Sequence, residues 1–228
     1  MSLFSLKKKN HFVPLEIQRQ QWFKHFIVAF MSVFICYLTV YLLRNNFKAA
    51  QTLLIEQNHF STTELGMIGL AFSVMYGIGK TILGYVVDGR NAKKIMSFLL
   101  GISAIISIII GILLVAKQAT VGILFILWGA NGFVQSPGGP ASYSTITRWT
   151  PKLKRGRWLG FWNASHNIGG ALAGIVAFWG ATTFFNGGAG GMFIVPGIIA
   201  IIIAIICFSV GHDEPEELGW NSAAEIFE

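Results

Sequence analysis

Three apolar stretches of this 228-residue chain carry polar side chains at helical intervals, and the residue types are those that grip anions. In the first, Tyr37, Tyr41, Arg44 and Lys48 recur at spacings of four, three and four. In the second, Ser73, Tyr76, Gly77, Lys80 and Gly84 share a face, and a later stretch aligns Asn163, His166, Asn167, Gly170 and Gly174 in the same way. A further stretch adds Asn131 and Gln135 before a break at Pro137 to Pro140, which either opens backbone groups toward a cavity or is a kink that neighbouring helices tolerate. A guanidinium can hold a phosphate through two parallel hydrogen bonds, while a lysine supplies a mobile point charge. Arg44, Lys80 and His166, with Tyr37, Tyr41, Tyr76, Asn163 and Asn167 beside them, are therefore the candidate anion-binding residues.

Each has a plainer alternative. Lys80 stands eight residues before Asp88, about 12 Å of helix, so it either forms a buried structural ion pair or snorkels toward water. Arg44 is nearer a helix end, where snorkelling is easier, and His166 alone would more often be an interior histidine bonded across helices. Gly170 and Gly174 suit close helix contact better than any direct substrate role. The string GIGKT at Gly77 to Thr81 superficially resembles a phosphate-binding loop, but Val74 stands where that pattern needs glycine, and no strand precedes it. The cluster Asn186 to Gly191 has no strand context either and reads as a flexible outer loop. No zinc-protease helix, nucleophile elbow or catalytic carboxylate pair is present, so an enzyme is not expected. Cys36 and Cys207 have no ligand-like spacing, and neither a metal nor another cofactor is implied.

The elements that must position these residues are membrane helices. With 54% hydrophobic residues, 12% charged and a mean hydropathy of +0.61, the chain is too apolar for an ordinary soluble domain. Six stretches are long enough to span a bilayer: His25 to Leu43, Leu65 to Val87, Ile95 to Ala116, Val121 to Thr145, Leu159 to Phe185 and Met192 to Gly211. The expected organisation is a cytoplasmic amino-terminal segment at 1–24, a six-helix bundle at 25–211 and, at 212–228, an acidic cytoplasmic tail or the start of a linker. A polar stretch through Lys24 follows the basic triplet Lys7 to Lys9, which argues against a cleaved signal peptide.

Thirteen of the seventeen basic residues fall before the first span or in the second-to-third and fourth-to-fifth loops, all on one side of a six-span bundle. The positive-inside tendency makes that side, and both termini, cytoplasmic. It also accounts for most of the formal charge of +7 without nucleic acid, so the expected surroundings are a plasma or inner-membrane lipid bilayer.

Two segments carry a recognisable signature. GYVVDGRNAKK, Gly84 to Lys94, resembles the second-to-third loop motif of the major facilitator superfamily, with Gly84, Asp88, Arg90 and Lys94 at matching places and Gly89 where many members have arginine. RGRWLGFWNASHNIGG, Arg155 to Gly170, resembles the signature of the organophosphate:phosphate antiporters. YLLRNNF at Tyr41 to Phe47 is similar to that family's first-span phosphate-arginine segment, although Asn45 replaces a basic residue common there, and YGIGKTILG at Tyr76 to Gly84 is similar to its second-span lysine segment.

The resemblance implies an all-α membrane bundle equivalent to the amino-terminal half of a twelve-helix transporter, most like the hexose-6-phosphate branch. It implies exchange of external sugar phosphate for internal inorganic phosphate by alternating access, with Arg44 on the phosphate, Lys80 as supporting cation and His166 at the substrate. The loop residues would latch the cytoplasmic face, and a carboxy-terminal six-helix half or companion chain is the implied partner. A transporter-like sugar-phosphate sensor, or a truncated product inactive without the second half, would share these motifs.

Overall fold

The computed structural model describes residues 4–6 and 13–228; the basic triplet Lys7 to Lys9 lies outside them. Seven helices make the bundle: α1 (Leu15–Asn58), α2 (Thr62–Val87), α3 (Ala92–Val115), α4 (Val121–Gln135), α5 (Gly138–Trp149), α6 (Lys152–Phe184) and α7 (Gly191–Ser209). A 3-10 turn at Pro215–Leu218 and a short α8 (Ala223–Phe227) follow, and the described residues contain no strand. Among the described residues five helices, α1, α2, α3, α6 and α7, are long and apolar enough to cross a membrane. The fourth expected span, Val121 to Thr145, is instead divided, because Pro137 has no N–H to continue the helical ladder. Backbone hydrogen bonding resumes from Ala141 N to Pro137 O at 2.9 Å, so the break is a kink and not an unwound segment.

The first helix differs more. Expected over His25 to Leu43, it runs 44 residues, from Leu15 to Asn58, because loss of hydropathy does not end a helix that meets neither glycine nor proline. It stops at His59, which takes a left-handed conformation (φ 60°), and Ser61 then starts α2 with a capping box. Glu64 N donates to Ser61 Oγ at 3.2 Å while Ser61 N donates to Glu64 Oε2 at 2.8 Å. Asn91 caps α3 and Thr120 caps α4 through their side-chain oxygens.

The closest helix pairs are α3 with α7, α2 with α4 and α1 with α6. Small residues permit this. A Cβ on Gly132 would fall on the carbonyl of Phe72, and one on Gly169 would fall on the carbonyl of Leu38. The expected helix-contact glycines, Gly170 and Gly174, are not those that matter most: Gly174 faces open space, and a Cβ on Gly170 would meet Asn45 Nδ2 at 3.4 Å. Spacing identified the face, but helix crossing selected Gly169, one residue away.

Residues 212–228 fold back under the bundle. Asp213 is fully buried and ion-paired with Arg148; its carboxylate also accepts from Thr145 Oγ1 at 2.6 Å and from the first N–H groups of α3, Ala92 and Lys93, at 3.1 and 3.0 Å. Burial raises its pKa, against the pull of Arg148 and these donors. Lys93, also fully buried, donates to the carbonyls of Cys207, Phe208 and Val210 at 2.8, 3.3 and 2.9 Å, capping α7. Trp220 stacks on Trp22 with 5.8 Å between ring centroids, and Asn221 exchanges hydrogen bonds with Gln18.

At the other end, the loop expected to be flexible is pinned. Gln57 donates to Gly187 O at 3.0 Å and accepts from Ala189 N at 2.9 Å, so one carboxamide satisfies two backbone groups that glycine-rich composition left without an obvious partner.

Candidate anion-binding site

Arg44 is the centre of the polar face. Its guanidinium carbon lies 4.5 Å from the ring centroids of Tyr41 and Tyr76 and 5.3 Å from that of Phe72, so α1 and α2 build an aromatic clamp around one charge. Nε donates to Gln135 Oε1 at 3.2 Å. Gln135 donates in turn to Ser103 Oγ at 2.9 Å and Asn131 Oδ1 at 3.3 Å, and Ser103 donates to Asn131 Oδ1 at 2.6 Å. These three partners are buried, so the guanidinium is aimed by a chain of side-chain bonds reaching across α4 to α3. Arg44 Nη2 is buried and has no hydrogen-bond partner among the described residues. A cationic donor left in that condition is costly unless an acceptor arrives.

The helix break completes the wall. Without side chains, Gly138 and Gly139 let the Tyr37 ring lie against the kink; a Cβ on Gly138 would come within 3.1 Å of the ring carbons. Tyr37 also meets Trp162 at 4.6 Å and Tyr41 at 5.2 Å between centroids. Close approach at Gly169 brings the preceding turn of α6 to α1, which sets the His166 ring 5.2 Å from that of Tyr41.

Arg44, Tyr37, Tyr41, Tyr76 and His166 are thus one assembly. Lys80 lies one turn beyond Tyr76 and is exposed, with no hydrogen bond or ion pair among the described residues, so the buried ion pair offered as its structural alternative is not formed. Asn163 and Asn167, on α6, are likewise exposed. The arrangement offers a guanidinium with a donor unused among the described residues, tyrosine and histidine rings beside it and the Lys80 ammonium one turn beyond Tyr76, groups able to take an anion bearing several oxygens. Ser103 escaped sequence reading; its only signal was a hydroxyl in an otherwise apolar helix, a pattern shared by Ser97 and Ser107.

The loop motif divides differently. Asp88 caps the end of α2 by its N–H, which donates to Gly84 O at 3.3 Å, while its exposed carboxylate makes no hydrogen bond or ion pair among the described residues. Arg90 donates to Val86 O at 2.9 Å, and Lys94 sits 5.7 Å from the Phe208 ring. Arg148 reaches Arg90 O at 3.2 Å, which joins this loop to the Asp213 cluster.

The bundle resembles the crystal structure of a bacterial homologue of the human lysosomal transporter Spinster in an inward-facing, unoccupied conformation: TM-score 0.67 at 17% identity, over 82% of this chain and 43% of that one. Residues 33–226 match the Major Facilitator Superfamily. The chain belongs to the major facilitator superfamily. Members of this superfamily are integral membrane proteins, and the apolar helices place this one in the bilayer too.

Within the superfamily the chain is 46% identical to the hexose-6-phosphate:phosphate antiporter of Salmonella typhimurium, over 99% of this chain and 49% of that protein. It is 36% identical to the glycerol-3-phosphate transporter of Bacillus subtilis, over 84% of this chain and 42% of the relative. The phosphoglycerate transporter protein of Salmonella typhimurium shares 31% identity over 99% of this chain and 48% of its own length. The chain spans about half the length of the curated relatives it matches.

Proposed function

We propose that this chain is the amino-terminal half of a transporter that exchanges external sugar phosphate, hexose 6-phosphate foremost, for internal inorganic phosphate. The observation that carries this reading is Arg44, held by Gln135 and three aromatic rings with Nη2 still unpaired among the described residues. A phosphate monoester carries about −1.5 to −2 charge near neutral pH and needs fixed cations in a low-dielectric cavity. Arg44 grips its oxygens, Lys80 adds a mobile charge and His166 donates to phosphate or sugar. The relatives above, all named as carriers of phosphorylated compounds, support the substrate class.

Both halves of such a transporter bury the anion between them, and alternating access comes from rocking one half against the other. The polar face of α1, α2 and α6 is this chain's contribution. Both termini and the Arg148–Asp213 cluster then lie on the cytoplasmic side, and Asn186 to Gly191 outside. Six helices alone bind the anion weakly and do not sustain coupled exchange.

The deciding experiment places Arg44→Lys in the chain assembled with its carboxy-terminal half and titrates inorganic phosphate and hexose 6-phosphate, with membrane abundance measured alongside. Loss of one charge-assisted hydrogen bond costs about 1.5 to 3 kcal/mol, or roughly 10- to 150-fold in affinity for both ligands. Unmodified affinity for both ligands at normal abundance overturns the assignment.

A further inference from the structure

A cavity of about 240 Å³ opens at the end of the bundle that carries the folded tail, between the start of α1, the end of α5 and the first turns of α6. Its floor is Trp22 and Trp149, both buried, with Trp22 Nε1 already bonded to Trp149 O at 3.2 Å. Phe23 and Trp158 form one wall, and Lys154 and Arg157 are the cations on its lining.

The four basic side chains that open α6 have separate fates. Arg155 donates from Nε to Thr150 O at 3.0 Å and from its terminal nitrogen to Thr147 O at 3.1 Å, so it is spent on the end of α5. Lys152 lies 3.6 Å from the carboxylate of Glu228. Among the described residues neither Lys154 nor Arg157 has a side-chain hydrogen bond or ion pair, and Arg157 lies over the face of Phe161 at 5.8 Å. Three residues apart, Lys154 and Arg157 share one helical face.

Apolar groups stand out in the open beside them. Leu153, between two lysines, is 97% exposed, and Phe23 is 63% exposed. Core packing explains neither, and water is a poor environment for both. Paired cations beside exposed apolar side chains and indole rings are the chemistry of a lipid headgroup boundary.

We propose that this cavity is a binding site for an anionic phospholipid. Lys154 and Arg157 hold the headgroup phosphate, and the first part of the acyl chains covers Phe23, Trp158 and Leu153. A free phosphate or sugar phosphate offers the same anion but leaves the leucine and the phenylalanine uncovered, which is why the lipid is the better fit. The site is separate from the Arg44 clamp and does not depend on the transported substrate.

The test uses the full chain in nanodiscs of phosphatidylcholine doped with brominated-chain phosphatidylglycerol or, at equal mole fraction, brominated-chain phosphatidylcholine. Bromine quenches nearby tryptophan, half-exposed Trp179 included, so the share of the difference between the two lipids that Lys154 and Arg157 control reports headgroup preference at Trp22, Trp149 and Trp158. Near-surface cations contribute about fivefold each in attraction to anionic lipid, so the chain should prefer phosphatidylglycerol by roughly 25-fold. Lys154→Gln with Arg157→Gln should abolish the preference, Lys154→Arg should keep it, and Leu153→Ser should weaken quenching by both lipids. Equal quenching by the two lipids in the unmodified chain, or a preference that survives the double substitution, overturns the proposal. Displacement of the phosphatidylglycerol signal by millimolar inorganic phosphate also overturns it, in favour of a free-anion site.

Discussion

Two clusters of charge in this molecule have opposite completeness. Around Asp213, Arg148 and Lys93 nearly every donor and acceptor finds a partner: the carboxylate takes two backbone N–H groups, a hydroxyl and a guanidinium, and the ammonium takes three carbonyls. Around Arg44, one nitrogen is bonded and another is buried without a partner among the described residues, and among them Lys80 too stands unpaired one turn past the clamp. Charge that the chain satisfies internally holds helices together. Charge that the chain positions but leaves unsatisfied waits for something else.

The largest effect that separates the two clusters is predicted for Asp213→Ala. Removing one member of a buried, hydrogen-bonded ion pair takes from Arg148 its nearest carboxylate partner and leaves the start of α3 without an acceptor, and costs about 3–5 kcal/mol. Thermal unfolding followed by helical circular dichroism in detergent should show it, whereas Arg44→Lys should leave the same transition in place. Equal destabilisation by both substitutions would erase the contrast.

Gly169→Ala comes next. Its Cβ falls on the Leu38 carbonyl, so α6 must shift away from α1, at about 1–3 kcal/mol for an overpacked contact. The sharper readout is at the site: His166 loses its place against Tyr41, so the assembled transporter should bind hexose 6-phosphate more weakly. Binding at the unmodified affinity would detach His166 from the assembly.

Gln135→Leu removes the group that aims Arg44 while keeping an apolar volume in the helix. The bond Gln135 accepts comes from a charged guanidinium, but its loss loosens the aim of Arg44 without removing a phosphate contact, so phosphate affinity should fall severalfold, less than for Arg44→Lys. An affinity loss as large as that of Arg44→Lys would make Gln135 a ligand contact and not a positioning residue.

The smallest effect concerns acid. Burial tends to raise the Glu217 carboxyl, but the hydrogen bond and charge of His212, the Asp213 N–H and Lys94 outweigh it and hold the pKa below the ordinary carboxylate value. A depressed carboxylate contributes stability above its unfolded pKa and loses it as pH falls through the folded one. Detergent-solubilised chain should therefore lose a small part of its stability below about pH 4.5, and Glu217→Gln should flatten that slope. An unchanged slope would remove Glu217 from the completed cluster.

Legibility in the sequence followed the same division. Arg44, Tyr76 and His166 declared themselves because polar side chains at helical spacing are conspicuous against an apolar background. Gln135 was visible on its face but not as the partner of Arg44, since nothing local relates residues 91 positions apart. The tail looked like a linker because its acidic and small residues have no periodicity; the buried groups they cap belong to α3 and α5. The divided fourth span shows the same limit, with Pro137 legible and the ring of Tyr37 that occupies the kink not. Pinning of the Asn186 to Gly191 loop likewise depends on Gln57, far away in sequence.

The unbroken first helix has a mechanical consequence. At 1.5 Å per residue its 44 residues make a rod of about 66 Å, more than twice the roughly 30 Å hydrocarbon layer, with no glycine or proline along it. Gln18 ties its lower end to the folded tail and Gln57 ties its upper end to the far loop, while Arg44 rides between them. Helices with internal glycine or proline can absorb a displacement locally, as α4 and α5 do at their junction. A rod without a joint delivers it whole, so tilt imposed at either membrane surface reaches the guanidinium as lever motion instead of dissipating as bending.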